Sequence, residues 1–505
     1  MTSQTSPPST SPIRSTVVTL DGEVGVADRR LFGSFVEHLG RGVYGGIYEP
    51  AHPSATPEGF RGDVIELVRE LGVTVVRYPG GNFVSGYDWR DGIGPRSRRP
   101  RRLDLAWKTI ETNEVGLDEF LAWARLIDVE PMLALNLGLG SVREALHEVE
   151  YVNHPSGTAL SAQRAINGSP DPYGVRLWCL GNELDGPWQL GHRNAAEYAS
   201  LAATAAAALR MFDPDLELVA VGSSTPDMPT LGDWEEVLLA RTSEVIDFVS
   251  CHIYFHNDGD LPGFARSSDR VDALLDRIAD VISAARTTNP LARDIKISLD
   301  EWNVWDHPSY ESGKSDQRFE IAPRLLEDRY TMVDALVVGS VLQRILAHAD
   351  TVGIAALAQL VNVLGAIRAE PDAPAWRQTI FHPFAALSRS AGHTVLRTAT
   401  VAESAVVTTV TRSPEGDQLR VYFANRSVDS RADVSVQLGR LGTLRLEAAD
   451  VLWHSDPYAV NDIDDPDRVT PRPLDAVLSD DGALRVELPP LGWASVLLAC
   501  LPARE

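Results

Sequence analysis

From about residue 30 to residue 391 the chain alternates short apolar runs with longer stretches of helical periodicity. The apolar runs fall at 32–38, 74–78, 131–137, 175–181, 216–222, 245–253, 294–300 and 352–360. Several break into polar residues at their C-terminal ends, as strands buried on both faces do when they emerge from a sheet. Helical patterns follow, among them Glu114–Ile127, Asn194–Met211, Arg270–Thr287 and Pro323–His348. Eight strand-then-helix units in one continuous stretch predict an α/β fold, a (β/α)8 TIM barrel. A doubly wound sheet competes, but it usually has fewer units and a glycine loop that cradles phosphate. Gly138-Leu139-Gly140 has the start of such a loop. Arg143 stands where the third glycine belongs, so no nucleotide site is read there.

The texture changes near residue 392. Ala405–Thr411, Gln418–Ala424, Ala432–Leu438 and Leu444–Trp453 alternate apolar and polar positions, punctuated by Gly, Asp, Asn and Pro. This pattern predicts a C-terminal antiparallel β-sandwich. Arg14–Leu20 also reads as a strand, and it is expected to cross over and join the sandwich. The expected organisation is a disordered tail over 1–12, a sandwich-joining strand over 13–27, the catalytic barrel over 28–391 and the sandwich over 392–505.

Composition narrows the partners. The 505 residues are 44% apolar and 23% charged, a globular balance, with a net charge of −24. That charge repels nucleic acid and anionic membrane surfaces and leaves a neutral sugar acceptable. The three cysteines form no CxxC pair, so neither a disulfide scaffold nor a structural zinc site is indicated. The Ser-, Thr- and Pro-rich start lacks the basic and apolar regions of a secretory signal. The apolar stretch from Gly353 to Ile367 is too short to span a bilayer. A cytoplasmic protein is the expectation.

Candidate chemistry collects at the strand ends, where a barrel carries its active site. The first strand end offers Glu37 and His38, the second Arg77, Tyr78 and Asn82, and the third Asn136. The fourth offers Asn182 and Glu183, the sixth His252 and Tyr254, the seventh Asp300, Glu301 and Asn303, and the eighth Gln359 and Asn362. Two glutamates on one rim suit glycoside hydrolysis, where one protonates the leaving oxygen and the other attacks or activates water. Amides and carboxylates suit sugar hydroxyls, and aromatic rings suit a sugar face. Taken singly, each residue has a plainer reading. Glu37 pairs with Arg41, Arg77 joins a structural ion pair, and Asn82 makes an Asx-turn. Asn182 satisfies loop backbone, Gln359 makes a rim hydrogen bond, and Asn136 and Asn362 are structural. His252 is a hydrogen-bonded rim or core histidine, and Trp107 and Trp305 are core aromatics. His38, His252 and His256 show no metal-ligand spacing, so no metal site is read.

The motifs then converge. FGSFVEHLGRGVYGGIYEP, VVRYPGGNFVSGYDWRDGIGP, AWKTIETNEVGLDEF, WCLGNELDGPWQLGH, HIY, LDEWNVW and IAALAQLVNVL together span residues 31 to about 385. In these stretches the chain resembles the α-L-arabinofuranosidases of glycoside hydrolase family 51. The resemblance implies a retaining barrel glycosidase with Glu183 as acid/base and Glu301 as nucleophile. It places Glu37, Asn82, Asn182, Tyr254 and Gln359 around the arabinofuranose ring, and Trp107 and Trp305 at the entrance. It sets Arg77, Tyr254 and His252 around the nucleophile. Asp306 departs from the pattern, where an aromatic is expected, and this bears on the leaving-group side. The resemblance further implies exo release of terminal arabinofuranosyl units, no cofactor, and a homo-oligomer, namely a hexamer. The rival readings are an endo-β-glucanase or β-xylosidase on the same scaffold, a non-catalytic carbohydrate-binding protein, and a metal-dependent barrel enzyme.

Overall fold

The computed structural model describes residues 13–400 and 404–501. The tail expected over 1–12 lies outside the described residues. Eight strands close into a barrel in chain order: Gly33–Phe35, Val75–Tyr78, Glu130–Ala134, Leu177–Cys179, Glu217–Ala220, Phe248–Phe255, Lys296–Val304 and Val352–Leu357. Neighbouring strands pair in parallel all the way round. Val75, Met132, Ala134, Leu177, Cys179, Val219, Phe248 and Ile354, drawn from six of the eight strands, form one buried cluster with Val84 alongside. They pack the barrel interior as a core rather than a pore. The alternate strand residues, such as Val76, Leu133, Trp178, Leu218, Val249 and Ile297, join the larger core with the helices.

The helix expected from Pro323 starts instead at Met332. Thr331 caps it, and the Asp334 side chain reaches back to the Thr331 backbone in a capping box. That closure satisfies the first backbone donors and fixes the start. Residues 323–331 run as a loop. The helix, Met332–Ala347, is buried almost all round. It lies between barrel and sandwich, which is why it lacks a polar face. Gly339 lets it approach, since a Cβ there would sit 2.5 Å from Trp493 Nε1.

Beyond the barrel, ten strands form one sheet that contains the N-terminal strand Ile13–Val26. This strand runs on past the Arg14–Leu20 run. It pairs antiparallel with Thr394–Thr400 and parallel with Arg431–Gln437. Among the described residues the latter is the one parallel pairing in an otherwise antiparallel sheet. Val18, Val410, Val421, Phe423, Val434, Leu484, Val486 and Leu498 make its own apolar core.

Candidate active site

After the second strand the chain turns through Pro79, Gly80 and Gly81. Gly80 has φ +125°, and a Cβ there would stand 2.2 Å from Glu37 Cγ. Glycine is therefore required on two counts, conformation and space. Three N–H donors grip the buried Glu37 carboxyl. Phe83 N and Trp107 Nε1 each lie 2.9 Å from Oε1, and Gln359 Nε2 lies 2.9 Å from Oε2. Burial pushes Glu37 up to about 8, against the pull of Phe83 and Trp107. Arg41 does not pair with it but with Glu327 and Glu370.

Glu301 sits within the seventh strand rather than past its end. The register to both neighbouring strands shifts between Ser298 and Trp302. A bulge re-aims side chains that regular alternation would send to opposite faces. Asp300 and Glu301 consequently both point into the barrel mouth. Glu301 Oε1 accepts from Arg77 Nη1 at 2.7 Å, and Oε2 accepts from the Tyr254 hydroxyl at 2.8 Å. Arg77 Nη2 also donates to Asn182 Oδ1 at 2.6 Å, and Asn182 Nδ2 donates to Asn82 Oδ1 at 3.1 Å. Burial raises Glu301 above the ordinary carboxylate range. His252 opposes this, Glu183 adds to it, and Arg77 opposes it. Burial and the Glu301 charge push the Tyr254 phenol well up, so it remains a donor.

Glu183 follows Gly181 out of the fourth strand with φ +44°. A non-glycine residue held in the left-handed region costs about 1–3 kcal/mol and is concentrated at functional sites. Its Oε2 accepts from Trp188 Nε1 at 2.7 Å, and its Oε1 lies 2.8 Å from His252 Nδ1. His252 Nδ1 is also 3.6 Å from Glu301 Oε2. His252 therefore stands between the two glutamates. Burial alone would strip its proton, yet Glu301, Asp300 and Glu183 hold it well above its ordinary value.

Sequence reading gave no role to Trp188 or Asp300. The signal for Trp188 was its place after Asp185-Gly186-Pro187, a turn-forming run. Gly186 N bonds Glu183 O, and the indole folds back over Gly186, where a Cβ would meet the ring at 2.5 Å. Other residues do not converge. His38 is bonded between Glu111 and Tyr78, 2.8 Å from each, and stacks on Phe83. His256 lies beside Asp306. Asn136 binds backbone at Tyr87, Gly138 and Gly140, and Asn362 binds backbone at Arg41 and Gly45. Trp305 packs edge-on against Tyr254 at 5.3 Å. Asp306 caps the short helix His307–Gly313.

A cavity of about 460 Å³ lies beside this centre, lined by Trp107, Asp306, Tyr310 and the 323–328 loop. It shares Trp107 with the Glu37 web but does not include the two glutamates. Glu183, His252 and Glu301 each bring one donor atom within 4.8 Å of the others. A cation there would have to displace Arg77 and the Tyr254 hydroxyl from Glu301 and part the His252 ring from Glu183. The positive charge this set calls for already comes from side chains, so the residues do not fit a metal.

A closed barrel with paired carboxyls on its fourth and seventh strands defines a barrel glycoside hydrolase. The sequence matches the model of the α-L-arabinofuranosidase 1 domain over residues 67–274 and that of the α-L-arabinofuranosidase C-terminal domain over 300–492. The division between these two falls inside the barrel, before its seventh strand has placed Glu301. An intracellular exo-α-(1→5)-L-arabinofuranosidase of Streptomyces lividans is 47% identical, covering 94% of this chain and 74% of that one. An exo-α-(1→6)-L-arabinofuranosidase of Bifidobacterium longum is 46% identical, covering 95% and 96%. The solved family 51 α-L-arabinofuranosidase of Bifidobacterium longum superposes with a TM-score of 0.91 at 42% identity, covering 96% of this chain and all of that one. The chain belongs to the α-L-arabinofuranosidases of glycoside hydrolase family 51.

Proposed function

We propose that this exo-acting α-L-arabinofuranosidase works by double displacement, with Glu301 as nucleophile and Glu183 as acid and then base. The observation that carries this is the proximity of the two carboxyls, whose facing oxygens lie within 4.8 Å. Retaining glycosidases hold their carboxyls roughly 5–5.5 Å apart, whereas inverting ones need roughly 6.5–9.5 Å to admit a water. Glu301 attacks the anomeric carbon, kept in place by Arg77 and Tyr254. Glu183 protonates the leaving oxygen and then, ionised, draws a proton from the incoming water. Trp188 and His252 fix its rotamer through both steps.

Glu37, Asn82, Asn182, Tyr254 and Gln359 bind the ring. Gln359 Oε1 has no protein partner and is left for a sugar hydroxyl. The web of Glu37, Phe83, Trp107 and Gln359 closes the pocket behind one sugar, which favours exo over endo cleavage. Trp107 and Trp305 flank the entrance, and Asp306 places a carboxylate on its leaving-group side. The relatives named above differ in linkage, (1→5) against (1→6), so both linkages fall within the proposed substrate range. The Streptomyces lividans relative and several others are named intracellular, and no helix among the described residues is long and apolar enough to cross a membrane. A cytoplasmic site of action follows that naming.

The test is product analysis. The purified enzyme should release arabinose from short α-L-arabinofuranosides far faster than it shortens any β-glucan or releases xylose from nitrophenyl xyloside. Rapid viscosity loss of a β-glucan without arabinose release would sink the reading.

A further inference from the structure

Asp300 is buried next to the nucleophile, yet hydrolysis as described gives it no task. The bulge that turns Glu301 into the mouth turns Asp300 there too. Its Oδ1 accepts from Ser250 Oγ at 2.7 Å and stands 3.3 Å from His252 Nε2. Its Oδ2 has no hydrogen-bond partner and lies 3.9 Å from Arg77 Nε, which has none either. Asp300 thus sits behind both cations that face Glu301.

We propose that Asp300 is a positioning residue that keeps His252 an imidazolium between Glu183 and Glu301, so that the buried centre stays charge-balanced through both steps of hydrolysis. The proposal rests on the roles given to those two glutamates above. In the proposed mechanism the first step sets two cations, Arg77 and His252, against two anions, Glu301 and Asp300, with Glu183 in its acid form. When Glu301 bonds to the anomeric carbon, the bond from that carbon to the leaving oxygen breaks. Its electron pair goes to the leaving oxygen, which takes the Glu183 proton. Glu301 loses its charge as Glu183 gains one. Two cations still face two anions.

Without Asp300, both states would hold one buried positive charge too many, and an uncompensated buried charge is costly. Loss of the His252 proton is the cheapest relief. The groups around His252 agree. Glu183 faces it from the fourth strand, Asp300 and Glu301 from the seventh, and Tyr254 and Ser250 flank it on its own strand. Arg77 comes from the second strand. Asp185, raised by burial to about 6, also feels the His252 charge. Cys179, beside Arg77, is pushed by burial up to about 12 and stays a neutral thiol.

The experiment is NMR of the full-length enzyme labelled with 15N-histidine, from about pH 5 to about pH 8.5, the span in which an ordinary histidine titrates. The same span is run on D300N, with kcat/KM profiles on an α-L-arabinofuranoside bearing a poor leaving group. In the wild type, His252 should remain doubly protonated throughout. In D300N it should titrate within the span, and the alkaline limb of kcat/KM should move down by about one pH unit or more. A neutral His252 in the wild type overturns the proposal. So does a folded D300N that loses activity while the His252 signal and pH profile stay put, since a merely structural role gives that result. If D300N does not fold, the wild-type titration decides alone. The His252 signal is blind to which glutamate is the nucleophile, so its failure is separable from failure of the covalent mechanism.

Discussion

Glu301 needs to be ionised to attack, and its surroundings pull in both directions. Burial raises its affinity for a proton, while His252 and Arg77 lower it. The net direction is upward. The acid limb of kcat/KM should therefore lie above pH 4.5, the ordinary value of a glutamate. A pH series on a nitrophenyl arabinofuranoside checks this, and full activity down to about pH 4 would contradict it. At this scale the sequence showed which residues gather but not which touch. Arg77, Tyr254, Asn182 and Glu301 were legible because each lies toward the C-terminal end of a barrel strand or just beyond it, where convergence is geometric. Trp188 was not, because a turn through Gly186 brings it back to Glu183. Asp300 was legible as an acid of the seventh strand, but its place behind Arg77 and His252 was not, because the register shift that turns it inward beside Glu301 is set by tertiary pairing.

The barrel strands were legible as apolar runs because they are buried on both sides. Their exact ends were not. The seventh strand extends to Val304, since its bulge absorbs an extra residue without ending the pairing. The helix expected from Pro323 is cut back to Met332, because the Thr331–Asp334 capping box fixes its start. The helix Val142–Asn153 carries a different feature, a Glu148 whose burial Arg90 offsets only in part. Burial, and then Asp88, push its carboxyl up to about 8 from an ordinary 4.5. The folded state keeps a proton that the unfolded chain releases above pH 4.5, so this group makes stability fall as pH rises from 4.5 to about 8. Glu148→Gln should remove that dependence and raise stability by about 2 kcal/mol at pH 7. Thermal unfolding at about pH 5 and about pH 8 reads it. An equal gain at both would contradict the argument.

The whole molecule divides its labour between two cores joined by one apolar helix. Gln343, buried in that helix, donates to Thr409 and Tyr422 of the sandwich and accepts from Trp493. The alternating pattern after residue 392 made the sandwich legible, but nothing in the strand Ile13–Val26 disclosed its parallel partner, because pairing direction is set by tertiary context. The net charge of −24 favours dispersed particles and a neutral substrate. The homo-oligomer implied by the family resemblance should read as six chains per particle in light scattering at moderate salt, and a monomer would overturn that assignment. The central claim is that Glu301 carries the sugar and Glu183 moves the proton. Its most direct test is mass spectrometry of Glu183→Ala turning over a dinitrophenyl α-L-arabinofuranoside. This leaving group needs no acid, so glycosylation survives, while the missing base slows deglycosylation by about a hundredfold or more. The account predicts a burst of dinitrophenolate and an arabinosyl adduct that maps to Glu301. Equal slowing of activated and unactivated substrates with no adduct on Glu301 would contradict it.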